Sequence, residues 1–176
     1  MIETERLILR PFRDEDRAAF AAINGDPRVG DWLGGVRTRA ESDQTVDRIN
    51  AGIAERGYDF WAAARRSDDR LIGMIGLRPF APSPPGPCIE MGWRLSPEVQ
   101  GQGLATEGAK AALAWGFAHI DVPEIIAFTA YNNLNSQAVM TRIGMVRDPA
   151  RDFLHPNLAE DHPLRPHVVF VAKRAD

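Results

Sequence analysis

The chain has 176 residues, of which 44% are hydrophobic and 26% charged, and a formal net charge of -3. That length suits one domain with its own buried core. The charge argues against a polybasic nucleic-acid or membrane surface, no apolar run approaches the length of a membrane span, and no signal-peptide pattern opens the chain.

The single cysteine, Cys88, rules out an intramolecular disulfide and fits a reducing cytoplasm. In chain order, residues 6–10 alternate only loosely, but their apolar centre, Leu7-Ile8-Leu9, and the following Pro11 predict a first strand. Asp14, Glu15 and Asp16 then place acids in the first turn of a helix running to about Asn24, with Phe20 and Ile23 on its buried face. Asp26-Pro27 has the form of an N-cap and first helical residue, opening a short helix that stops near Gly34-Gly35. Thr38 and Glu41 fit a capping box; the helix they start carries Val46, Ile49 and Ile53 and ends before Gly57. Residues 60–64 and 71–77 read as strands joined by a turn at 67–70. Residues 81–87 are proline-rich and read as a stiff surface loop.

Ile89, Met91, Trp93 and Leu95 alternate with Glu90, Gly92 and Arg94, so the next strand has two distinct faces. Residues 105–119 follow as a helix whose Ala109, Ala112, Leu113, Gly116 and Phe117 form a buried stripe. Residues 125–128 predict a buried strand, 133–142 a helix with Gly144 past its end, and 145–146 and 168–171 closing strands. Mixed strand and helix order points to an α/β sandwich around a mixed sheet.

The stretch that organises the chain is residues 96–108, which joins the two-faced strand to the long helix. Gly101 and Gly103 permit a sharp turn and leave backbone amides uncovered. A glycine loop opening into a helix N-terminus suits a phosphate, because free N–H groups and the helix dipole point at one place. The loop is not a Walker motif, since no Lys-Ser or Lys-Thr follows, and it departs from G-x-G-x-x-G at Thr106. It does fit Q-x-x-G-x-A, as Gln100, Gly103 and Ala105.

That pattern resembles the pyrophosphate loop of the GNAT superfamily of acetyl-CoA-dependent N-acetyltransferases. The flanks share the resemblance: residues 90–97 before the loop, then 133–140 and Ile143-Gly144-Met145 after it. The opening, residues 4–11, resembles the branch containing the ribosomal-protein N-terminal acetyltransferases. The likeness covers residues of about 3–173, so the chain is expected to be a single N-acetyltransferase domain over 1–176. It implies a mixed, mostly antiparallel central sheet of about seven strands, splayed beside the glycine loop and flanked by four to five helices. Acetyl-CoA is the implied acetyl donor, and no metal is implied. Its pyrophosphate would lie on the backbone of Gln100, Gly101, Gln102, Gly103, Leu104, Ala105 and Thr106. Its pantetheine arm would lie on Trp93, Arg94 and Leu95, with Asn133 beside it.

For the chemistry, Glu90 is the candidate base, as a carboxylate on a strand expected to be central. A solvated face or an arginine partner is the alternative reading of Glu90. Many GNAT enzymes carry a tyrosine four residues before the glycine matching Gly144, and here that place is Met140. Ser136 is then the candidate partner of the thiolate; a hydroxyl bonded to backbone is the other reading, and Tyr131 is a fallback. Arg142 and Lys110 are candidates for the adenosine phosphate. Trp32 and His155 are candidate acceptor contacts. His155, His162 and His167 match no common ligand spacing, so no metal site is expected. Cys88 has no activating neighbour and reads as a spectator thiol.

The expected reaction is direct transfer of an acetyl group to a primary amine, on a protein N-terminus or a small molecule. A non-catalytic acyl-CoA-binding sensor is the competing reading, kept open by Met140; a nucleotide-binding module is weakened by the failed phosphate motifs. Partners reduce to a peptide or small-molecule amine, without nucleic acid or membrane, and a homodimer is the prior for a soluble enzyme of this size.

Overall fold

The computed structural model describes residues 1–82 and 84–174; within the proline-rich 81–87 segment, Ser83 lies outside the described residues. Strands are β1 (Ile2–Glu3), β2 (Leu7–Arg10), β3 (Phe60–Arg65), β4 (Leu71–Phe80), β5 (Cys88–Leu95), β6 (Glu124–Ala130), β7 (Val146–Arg147), β8 (Phe153–Leu154) and β9 (Pro166–Lys173). Helices are α1 (Asp16–Asn24), α2 (Pro27–Gly30), α3 (Arg39–Arg56), α4 (Leu104–His119) and α5 (Leu134–Arg142). No described helix is long and apolar enough to cross a membrane.

One mixed sheet runs in the order β1-β2-β3-β4-β5-β6-β9-β7, with β8 also on β9. Every pairing is antiparallel except β5 with β6. That parallel pair meets at a single position, Glu90 opposite Ile126. By contrast β4 and β5 stay in register from Gly73–Leu95 to Phe80–Cys88, and β6 and β9 from Glu124–Lys173 to Ala130–His167. The C-terminal halves of β5 and β6 therefore part, leaving strand backbone without a sheet partner along the split.

Local signals account for the elements around this sheet. Thr38 Oγ1 accepts from the Glu41 N–H at 3.2 Å and the Glu41 carboxylate accepts from the Thr38 N–H at 2.8 Å, which starts α3. Gly57 ends it in the left-handed region, φ 86°. On one face of the sheet α1 and α3 enclose Phe12, Phe20, Val46, Ile49, Phe60 and Met74. On the other, α4 and α5 cover Ile75, Leu77, Met91, Leu95 and Met140. Gly108 and Gly116 let α4 lie close: an added Cβ would meet Ile75 Cδ1 and Leu77 Cδ1, each at 2.4 Å.

The sheet has nine strands where about seven were expected. The additional ones, β1 and β8, are two residues each, too short for alternation to register. The first helix starts at Asp16, two residues later than the acids at Asp14 and Glu15 suggested. Asp16 is buried and receives Arg10 Nη1 at 2.6 Å, so it serves an ion pair as well as the helix start.

Candidate active site

The loop between β5 and α4 is shaped by two residues in the left-handed region, Gly101 at φ 76° and Gly103 at φ 78°. Gly103 caps α4 without a side chain. Glu107 N–H bonds the Gly103 carbonyl, while the N–H groups of Leu104, Ala105 and Thr106 have no protein acceptor among the described residues. These free donors face the split. The loop is held from behind by Arg6, whose Nη1 donates to the Gln102 carbonyl at 3.0 Å and whose Nε donates to Glu107 at 2.7 Å.

A cavity of about 990 Å³ runs from this loop through the split to α2 and α3. Its glycine-loop end is walled by Trp93, Leu95, Gln100, Gly101, Gly103 and the first turn of α4, together with Asn133, Ser136 and Met140. Its far end is walled by Arg28, Trp32, Arg37, Arg48, Arg78, Glu90 and Arg94. Both ends share the gap between β5 and Phe128, Thr129 and Ala130 of β6. Unpaired strand backbone beside free helix N–H groups is what a long, amide-bearing, pyrophosphate-containing ligand requires, so the residues present fit acetyl-CoA.

Glu90 sits where the split opens, on the far face of β5 from Met91. Its side chain is 13% exposed, and Arg78 Nε donates to its Oε2 at 2.7 Å. Burial raises the Glu90 pKa above the ordinary carboxylate value; Arg78 and Arg48 oppose this without cancelling it. Glu90 therefore has an arginine partner and is at the same time a buried carboxylate in the cavity wall. Oε1 accepts no hydrogen bond from the described protein atoms.

Asn133 caps α5, its Oδ1 accepting from the Ser136 N–H at 3.2 Å, and it also lines the cavity. Ser136 Oγ makes no hydrogen bond to described protein atoms, so the backbone-bonded alternative is not what the structure displays. Met140, four residues before Gly144, is buried in the cavity wall and has no proton to donate. Tyr131 is 63% exposed and off the wall. Arg142 reaches the cavity and Lys110 does not.

Arg94 lies on the Glu90 face of β5 and turns its guanidinium toward α1, where Nη1 donates to Asn24 Oδ1 at 2.7 Å. Any cofactor role for it rests on its backbone. Gln102 turns its side chain away from the cavity, donating Nε2 to the Glu98 carbonyl at 3.2 Å. Trp32 lines the far end and is 43% exposed. His155 stands one side chain back, its ring centroid 5.1 Å from that of His167, which does line the cavity. Burial lowers the pKa of both histidines. Among the described residues no three His, Cys, Asp or Glu side chains are grouped to hold a metal. Burial, with Glu90 and Glu124 nearby, pushes the Cys88 thiol up to about 11.

Arg28, Arg37, Arg48 and Arg78 were not singled out from the sequence. They come from α2, the α2–α3 loop, α3 and β4, and no spacing links them. Only Arg78 had a signal: counting back from the β4–β5 turn places it directly opposite Glu90.

The profile of the Acetyltransferase (GNAT) domain matches residues 6–146. The chain is a GNAT acetyltransferase. It is 31% identical over 148 residues to the uncharacterized N-acetyltransferase YnaD of Bacillus subtilis (strain 168), covering 84% of this chain and 83% of that one. A GNAT-family acetyltransferase of Bacillus anthracis superposes with a TM-score of 0.81 at 24% identity, over 98% and 97% of the two chains. The ribosomal L7/L12 α-N-protein acetyltransferase RimL, solved with coenzyme A, superposes with a TM-score of 0.76 at 16% identity, over 97% and 95%. At those identities the two structures establish the fold alone. It is the splayed, mostly antiparallel sheet expected of this GNAT acetyltransferase, with its split beside the glycine loop.

Proposed function

We propose that the whole chain is one domain that transfers acetyl from acetyl-CoA directly to a primary amine. The observation that carries this is the single cavity that joins the free N–H groups of Leu104, Ala105 and Thr106 to the buried carboxylate of Glu90. The first turn of α4 and the glycine loop would hold the pyrophosphate, and the open edge of β5 at Trp93, Arg94 and Leu95, with Asn133, would hold the pantetheine. When bound, acetyl-CoA supplies the activated acyl group.

The chain's own residues do the rest. Glu90, with its raised pKa and free Oε1, takes the proton of the attacking amine, directly or through a water. Arg78 fixes the carboxylate and opposes the rise in its pKa that burial causes. Ser136 Oγ offers the leaving sulfur a hydrogen bond that Met140 cannot supply. Cys88 is too high in pKa and lies off the cavity wall, so an acyl-enzyme route through it is set aside. Trp32, and His155 through His167, shape the acceptor end.

Likeness to the ribosomal-protein acetyltransferases supports a peptide N-terminus as the first acceptor to try. The lone cysteine supports a cytoplasmic setting, and enzyme size supports a homodimer. The test is calorimetric titration with acetyl-CoA followed by thiol release with N-terminal peptides and small amines. Saturable binding and thiol release support the proposal; no binding by the folded protein overturns it. Met140 favours a second reading, an acyl-CoA-binding sensor. Saturable binding with no thiol release across the amine panel would select the sensor.

A further inference from the structure

The acceptor end of the cavity has a charge pattern that general-base chemistry does not call for. Arg37, Arg48 and Arg94 all reach it, and none forms an ion pair with a carboxylate among the described residues. Arg37 donates only to the Leu33 carbonyl, at 2.7 Å, and Arg94 only to Asn24 Oδ1, at 2.7 Å. Arg94 Nε is buried without any hydrogen-bond partner. Arg28 and Arg78 add two further cations, tied to Asp26 and Glu90 respectively. A buried guanidinium donor with no acceptor is costly, and such orphans are uncommon in folded proteins. Mutual repulsion from Arg37, Arg78 and Arg48 adds to burial in pulling the Arg94 pKa down to about 10. All this occurs in a chain whose net charge is -3.

We propose that this cluster is an anion subsite: the acceptor is an amine that also carries a carboxylate, which the guanidinium groups of Arg94, Arg48 and Arg37 bind while Glu90 meets the amine. A planar guanidinium pairs a carboxylate in bidentate fashion, and Arg94 Nη2, which is accessible and has no protein acceptor among the described residues, is the donor left for it. The carboxylate has two sources, the α-carboxyl of a free amino acid or an acidic side chain early in a peptide. A polyamine would meet like charge here and be rejected. The inference rests on the acetyltransferase reading for its amine, but not for its anion.

The experiment therefore measures the two apart. Acetyl-CoA is titrated first. Free glutamate, a Ser-Glu-Asp peptide, a Ser-Lys-Lys peptide and spermidine are then titrated into the CoA-bound protein and assayed as acceptors. Arg48→Gln and Arg37→Gln sit at exposed positions and preserve the fold; Arg94→Gln is the deeper test. The expected result is that one acidic acceptor binds and turns over best, and that each exposed variant weakens its binding by roughly tenfold while acetyl-CoA affinity is unchanged. Glutamate winning identifies an amino-acid acceptor, and the acidic peptide winning identifies a peptide acceptor. Preference for spermidine or Ser-Lys-Lys, or indifference of acidic-ligand binding to both exposed variants, overturns the anion subsite even if acetyl transfer proceeds. Acidic-ligand binding that depends on these arginines without acetyl-CoA binding would keep the subsite and defeat the transferase reading.

Discussion

Arg78 and Glu90 face each other across the β4–β5 ladder at the point where β5 leaves β6, their side chains bonded at 2.7 Å. This places a carboxylate of raised pKa at the mouth of the split, with a guanidinium tempering the rise. A base must be ionised to work, so turnover should climb with pH through the Glu90 pKa. Glu90→Gln should lower kcat by roughly 10²–10⁴-fold and abolish the acid limb of the pH profile. Arg78→Met removes the opposing charge, so the limb should move to higher pH. Steady-state kinetics across pH check both; a Glu90→Gln profile matching the wild type would remove Glu90 from the mechanism.

Gly103 stands at φ 78° with no atom nearer than 3.6 Å, Arg6 Nη2, to an added Cβ. Space is therefore not what requires glycine there; the backbone conformation is. Gly103→Ala should cost about 1–2 kcal/mol of stability from the left-handed strain and weaken acetyl-CoA only modestly. Gly103→Trp adds a bulky side chain beside the free N–H groups and should weaken acetyl-CoA far more than it lowers Tm. Calorimetry beside thermal melts separates the effects, and equal affinity in both variants would move the cofactor away from this loop.

These contrasts show why some of the protein was legible and some was not. The capping box at Thr38 and Glu41, the stop at Gly57 and the alternation from Ile89 to Leu95 are local signals, and each appears in the structure. The glycine turn before α4 was legible because its residues are consecutive. The two-residue strands β1 and β8 carry no period to read. The arginines at positions 28, 37, 48 and 78 were hidden because they converge on the far end of the cavity, beside Arg94, only through the fold. A basic residue on an exposed helix face has the same local sequence whether it faces water or a cavity. The loop position of His155 suggests an acceptor contact, whereas the ring on the cavity wall is its neighbour His167, placed there by β8–β9 pairing opposite Phe153.

Cys88 offers a control on the direct-transfer reading. Its thiol is pushed up to about 11, chiefly by burial, so little thiolate exists at neutral pH. Cys88→Ala should leave kcat unchanged, and labelling by iodoacetamide at pH 8 should be much slower than for a small free thiol. Rapid labelling, or a loss of turnover in Cys88→Ala with affinity for acetyl-CoA intact, would point to an acyl-enzyme route instead.

Glu107 joins the loop to the turn between β1 and β2, and its protonation should be felt as stability. Burial alone would raise its pKa, but the Thr4 hydroxyl at 2.6 Å, the Arg6 N–H at 2.8 Å and the Arg6 guanidinium together hold it below the ordinary carboxylate value. A carboxylate whose folded pKa is depressed stabilises the fold above its unfolded pKa, about 4.3, and that contribution is lost as pH falls through the folded value. Arg6 is 47% exposed, so solvent screening limits the pair, and Glu107→Gln should cost about 1 kcal/mol at pH 7. For a chain of this length that is roughly 2–4 °C in Tm. The gap between wild type and variant should hold steady from pH 8 to pH 6 and close below pH 5. Because Arg6 also holds the Gln102 carbonyl, the variant should bind acetyl-CoA more weakly even at pH 7. A Tm gap that persists unchanged at pH 3 would mean that packing, not charge, holds the loop to the β1–β2 turn.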